Sequence, residues 1–146
     1  MMQGLTIIVK KITQLIAPVI FLYGIYIIVH GHLTPGGGFA GGVILASSFI
    51  LQILAFGKIL EGLLKEEHGL QLLESFAILF FMLIGAVGLI LVGKVFFANF
   101  LGTGIVGELI SAGYIPLQNL VVGAEVCAAI ASIFIALLIF KDEVDK

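Results

Sequence analysis

The sequence predicts an all-α polytopic membrane protein with four transmembrane helices, and three observations carry that prediction. Of 146 residues, 61% are hydrophobic and only 11% are charged, whereas a soluble domain devotes about a quarter of its residues to charge. Between Lys11 and Lys58, 46 residues pass without Asp, Glu, Lys or Arg, and another 19 from Ser75 to Gly93 are also uncharged. No period-2 alternation of polar and apolar residues runs through these stretches, which disfavours membrane strands. Seven lysines, nine acids and no arginine cannot build a water-facing surface. A free-standing soluble domain is set aside, and most soluble enzymes with it.

A helix needs roughly 20 apolar residues to cross the hydrocarbon core, so the first uncharged run holds two spans and a tight connection. The first span is expected over about 12–29, with Pro18 inside it, where a missing backbone donor bends a helix. The second follows the His30–Gly38 turn, over about 39–60. The third covers about 70–97, long enough to tilt or to project into the headgroups. The fourth opens at Pro116, a good first-turn residue, and covers about 116–140, ending before Lys141. The 98–115 connection holds four glycines and Glu108 in an otherwise apolar stretch, which predicts a short interfacial or re-entrant helix. One membrane domain over 1–146 accounts for the chain, with no internal repeat. The apolar N-terminal stretch is too long for a cleaved signal peptide, and no A-x-A site follows it.

Lysine placement predicts orientation. Lys10, Lys11, Lys58, Lys65, Lys141 and Lys146 fall on one side and only Lys94 on the other. The bias places both termini in the cytoplasm of a plasma-membrane protein. The net charge of −2 offers no basic patch for nucleic acid. One cysteine excludes an internal disulfide, and His30, His32 and Cys127 do not make a zinc ligand set. Gly36-x-Gly38-x-x-Gly41 and Gly102-x-Gly104-x-x-Gly107 spell a dinucleotide fingerprint. Neither has the βαβ setting that gives the spelling meaning, so no cofactor or metal is expected. No nucleophile triad shares a plausible depth, so no catalytic residue is assigned.

The chemistry-bearing candidates are few. Glu125 lies nine positions after Pro116, roughly 13 Å into the membrane at 1.5 Å rise per residue. An ionised side chain at that depth costs a few kcal/mol unless it is paired, hydrated or protonated. Its helix face reads Gln118, Val122, Glu125, Ala129, Ser132 and Ala136, polar or small for most of its length, and is expected to face protein or a water-filled cavity. Glu125 is therefore either a protonatable or cation-coordinating carboxylate on an ion path, or a structural carboxylate paired with a neighbouring chain. Glu74, Lys94 and Ser132 are the further path candidates. Glu74 also suits the positive end of its helix, and Lys94 can snorkel outward. His30 and His32 bracket a glycine at the outer end of the first span, where ordering the turn is favoured over metal binding. Pro35 and Gly36 shape the turn. Gly37/Gly41 and Gly38/Gly42 form small-xxx-small pairs suited to close helix approach, and a helix start there would also favour an anion.

The run from His30 through Thr34-Pro35-Gly36-Gly37-Gly38-Phe39 to Gly41-Gly42 resembles the signature of the B subunit of Mrp (Mnh) multi-subunit cation/proton antiporters. The stretch from Ser111 through Pro116 and Asn119 to Glu125-Val126 is similar to that family's second recurrent segment. Ala40 stands where the family often has a larger or polar residue. The resemblance covers nearly the whole chain. It implies an accessory subunit, not an enzyme alone, that supports assembly and lines a sodium or proton path with other small and large antiporter-module subunits. Related modules occur in archaeal membrane-bound hydrogenase-type complexes, so hydrogenase-type partners are an implied alternative. Two other functions stand beside this one: a purely structural scaffold, and a self-sufficient proton-coupled exporter. The exporter expects an acid early in the first helix and an aromatic cage, and this chain has no Trp.

Overall fold

The computed structural model of the chain describes residues 5–57, 67–93 and 95–144. Among these residues, four helices are long and apolar enough to cross a membrane, and there is no strand. They are α1 (Ile7–Val29), α2 (Gly37–Phe56), α3 (Glu67–Val92) and α4 (Ile115–Val144).

The ends differ from expectation for local reasons. α1 begins at Ile7 and takes Lys10 and Lys11 into its first turns, with the Lys10 N–H donating to Thr6 O at 3.1 Å. The helix continues across Pro18. α2 begins two residues early, and closes after Phe56 as the Gly57 N–H bonds Ile53 O at 2.9 Å; residues 58–60 of the expected span lie outside the described residues. α3 stops five residues before the expected Phe97. Gly93 adopts φ +71°, and its N–H returns to Leu89 O at 2.8 Å, a left-handed stop that favours glycine. α4 runs through Lys141 to Val144.

Packing partners fix the helix directions. Ile28 meets Gly41, Leu45 meets Gly24, and the rings of Phe21 and Phe49 lie edge-on at 5.7 Å, so α1 and α2 are antiparallel. Gly38 lies on Asn119 and Val122, Gly42 on Gly123 and Val126, and Ile53 on Ile135. α2 and α4 therefore run parallel. Leu70 joins the Ile53–Ile135 cluster while Ala77 and Ile84 join Val121, which makes α3 antiparallel to α4. Across the layer the order is α1, α2, α4, α3, with α1 also touching α4. The ends of α1 and α3 and the starts of α2 and α4 share one end of the bundle, called the loop end below.

Lipid is as apolar as leucine, so burial alone does not drive helices together in a membrane; close packing of small residues does. Ala17, Ala46, Ala55 and Ala128 are all 1% exposed or less, and glycines mark the closest approaches.

The 95–114 connection does not form the expected short helix. It re-enters beside α3 as irregular chain. The Phe97 N–H donates to Gly85 O at 3.2 Å, and Ala98 lies on Gly88. The Phe97 ring sits 5.2 Å from that of Phe81. Phe100 stacks on Tyr114 at 5.8 Å, whose hydroxyl donates to Phe97 O. Gly85 and Gly88 leave a trough on α3 that accepts the returning backbone, which answers the need to satisfy non-helical polar groups at membrane depth.

Candidate functional site

The loop end brings the two recurrent segments of the sequence together. After Val29, the chain makes a tight turn in which the Leu33 and Thr34 N–H groups both donate to His30 O, at 2.8 and 2.9 Å, and Thr34 Oγ1 donates to the same oxygen at 3.1 Å. The His30 ring stacks on Tyr26 with centroids 4.1 Å apart, and its Nδ1–H donates to Tyr26 O at 3.0 Å. His32 turns the other way: its Nε2–H reaches Glu108 O at 3.4 Å, tying the turn to the long connection. The two histidines thus face different partners. Among the described residues, no group of three His, Cys, Asp or Glu could hold a metal.

Pro35 is exposed and leads into Gly36, whose φ of +138° only glycine adopts readily. Gly36 caps α2 without a side chain, leaving the first helical N–H groups in need of acceptors. Asn119 of α4 supplies one: its Oδ1 accepts the Gly38 N–H at 3.3 Å. A cap usually provided by the preceding residue here comes from another helix. The fit is close. A Cβ at Gly38 would overlap Asn119 O, one at Gly42 would sit 2.7 Å from Gly123 O, and one at Gly41 would press on Ile28 and lie 2.9 Å from Gly24 O. The glycine run serves two neighbours at once, Gly38 and Gly42 facing α4 while Gly41 faces α1. Gly37 lies over Asn119 Oδ1 and Gly31 O. Pro116 is the second residue of α4, the helix that carries Asn119.

The turn and the connection flank an open pocket of about 220 Å³ lined by His32, Leu33, Thr103, Gly104, Val106 and Ser111. Three buried side-chain nitrogens at this end, His32 Nδ1, Gln118 Nε2 and Asn119 Nδ2, have no hydrogen-bond partner among the described residues.

Glu125 belongs to a different surface. With Val122 it lines a groove of about 200 Å³ between α4 and α3, completed by Ala77, Ile78, Phe81 and Val121. It is partly exposed and makes no hydrogen bond or ion pair with a described residue. Every other side chain lining the groove is apolar. Ser132, two turns further along α4, donates its Oγ–H to Ala129 O at 2.9 Å. Glu74, partly exposed, precedes Ala77 by three residues, about 4.5 Å of helix rise. Lys94 lies outside the described residues, and so does any pairing with it.

The sequence did not single out Gly24, Gly31, Gly85, Gly88 or the His32–Glu108 bond. The Gly85-x-x-Gly88 spacing is the one local signal that could have marked the trough on α3; the histidine bond joins residues 76 positions apart and leaves none.

The family described as a domain related to the MnhB subunit of Na+/H+ antiporter matches residues 8–132. An uncharacterized protein of Methanocaldococcus jannaschii is 38% identical over 117 residues, covering 75% of this chain and 43% of its own length. The protein mnhB2 of Staphylococcus aureus, described as an antiporter subunit, is 41% identical over 59 residues, 39% of this chain and 42% of its own. The chain therefore spans less than half the length of these curated relatives. Among solved structures, a chain of the membrane-bound sulfane sulfur reductase, an archaeal respiratory membrane complex, superposes with TM-score 0.75 at 29% identity, covering 94% of this chain and 60% of that one. Both segments that bear the resemblance fall within the matched residues and meet at the loop end, and the chain belongs to the MnhB family of antiporter subunits.

Proposed function

We propose that this chain is an accessory membrane subunit of a multi-subunit Na+/H+ antiporter module that works inside a respiratory-type membrane complex. It supports assembly through its loop end and contributes Glu125 to a cation or proton path shared with neighbouring subunits. Both termini face the cytoplasm, and the loop end faces out. The observation that carries this is a division of labour on α4. One side of the helix locks onto the signature turn through Asn119 and Gly123, while Glu125 opens into a groove that this chain leaves apolar. A carboxylate there needs a partner or a hydrated path. The archaeal respiratory complex found among solved structures favours such a host. Glu74, Ser132 and Lys94 are assigned secondary places along the same route.

The test is sodium-dependent proton movement in inverted vesicles of the host. Removing the chain should abolish it, and the wild-type chain should restore it. The purified chain alone in liposomes should show none. Exchange by the chain alone, or unchanged exchange without it, would overturn the assignment. For Glu125 itself, Glu125→Gln should lower transport per incorporated chain several-fold; full transport would remove the residue from the path.

A further inference from the structure

The groove that holds Glu125 is open along the flank of the helix layer and lies well inside the candidate span Ile115–Lys141. Glu125 is ten residues into α4, about 15 Å from its start. Ala77, Ile78, Phe81, Val121 and Val122 make up the rest of the lining. Acyl chains suit those five residues and leave the carboxylate unsolvated. Water suits the carboxylate and finds nothing else in the groove to bond, whereas a stable buried water needs two or more polar partners. A protein segment with an apolar body and one positive group suits both. The described residues of a second copy of this chain do not supply it at that level. The described lysines Lys10 and Lys11 lie in the first turns of α1 and Lys141 in the last turn of α4, there is no arginine, and His30 and His32 are engaged at the loop end. Gly93, just past the end of α3, stands about 18 Å along the axis from Phe81.

We propose that the α3–α4 groove seats a transmembrane helix of a different subunit, and that a basic side chain on that helix pairs with Glu125. The proposal rests on the chain being a subunit of a larger assembly and names the partner chemistry of the Glu125 site. The pairing explains why a single acid is kept at depth: the charge selects the partner and sets its register along α4. Phe81 and Val122 would pack the apolar body of that helix on either side of the pair.

The experiment uses the intact complex from host membranes in mild detergent, with the chain tagged and every variant normalised to its level in the membrane. Glu125→Gln keeps the shape of a protonated carboxyl while removing the charge. It should lower recovery of one neighbouring subunit about tenfold or more, because the partner's cation is left buried and unpaired. Glu125→Lys should lower it further, and Glu125→Asp should largely restore it. Val122→Cys and Ile78→Cys should form disulfides under mild oxidation with cysteines placed on that same subunit's helix. Wild-type recovery with Glu125→Gln would overturn the proposal, because a neutral side chain would then satisfy the groove while the subunit assignment stood. Groove cysteines that cross-link only to a second copy of this chain would overturn it as well. If the wild-type chain brought down no other subunit, the proposal would fall together with the subunit assignment, which separates the two failures.

Discussion

Asn119 does at the residue scale what no residue of the glycine run can do for itself. Gly36 to Gly38 start α2 without a capping side chain, and the Asn119 amide oxygen closes that start from α4. Asn119→Ala should therefore destabilise the purified chain by about 1 kcal/mol, the usual worth of a cap, read as a lower melting temperature in detergent. Asn119→Asp keeps the acceptor and should retain most of that stability. Gly42 has a harder constraint, since a Cβ would lie 2.7 Å from the Gly123 carbonyl oxygen, and backbone cannot move aside as a side chain can. Gly42→Leu should part α2 from α4 and keep the chain out of assembled complexes, measured as loss of co-purification at normal expression. Gly38 and Gly42 were legible as close-approach positions from their small-xxx-small spacing, and Asn119 only from the resemblance of its segment to a recurrent segment of the family. Their mutual contact was not, since it joins residues 81 positions apart and no local pattern encodes that distance.

At the scale of elements, the four spans were readable because charge is the scarce quantity and its gaps mark the membrane. The ends were less readable. A hydropathy run does not distinguish Val92 from Phe97, whereas a left-handed glycine at 93 ends the helix. The apolar residues beyond it are apolar for a different reason: they pack back onto α3. Gly85 and Gly88 permit that return, because a Cβ at Gly85 would strike the rings of Phe96 and Phe97 and one at Gly88 would lie 2.5 Å from Ala98 O. Gly88→Val should release the 95–100 segment and make the connection cleavable by protease added to the outer face of sealed vesicles, with α1–α2 packing unaffected. Rapid cleavage of the wild-type connection would contradict the docking of this segment.

Over the whole molecule, the described helices form one layer, α1–α2–α4–α3, with two small buried clusters, Ile53–Ile135 and Ala77–Ile84–Val121, between neighbours. Such a layer leaves broad apolar flanks on α1 and α3, with Leu15, Leu22, Phe76 and Ile90 all more than 60% exposed; lipid and neighbouring subunits are the surfaces that can cover them. With the loop end outward, Gly102→Cys, an exposed position where a Cβ meets nothing within 4 Å, should react with an impermeant maleimide from outside and Thr6→Cys only from within, both in a Cys127→Ser background; the reverse pattern would invert the topology. As proposed, the chain functions only as part of a larger membrane assembly, and the composition of the particle purified in mild detergent from native membranes through a tag on this chain decides it. Large antiporter-type subunits should be recovered stoichiometrically, with no transport by the chain alone. An isolated dimer of this chain that moves ions or substrates by itself would contradict it.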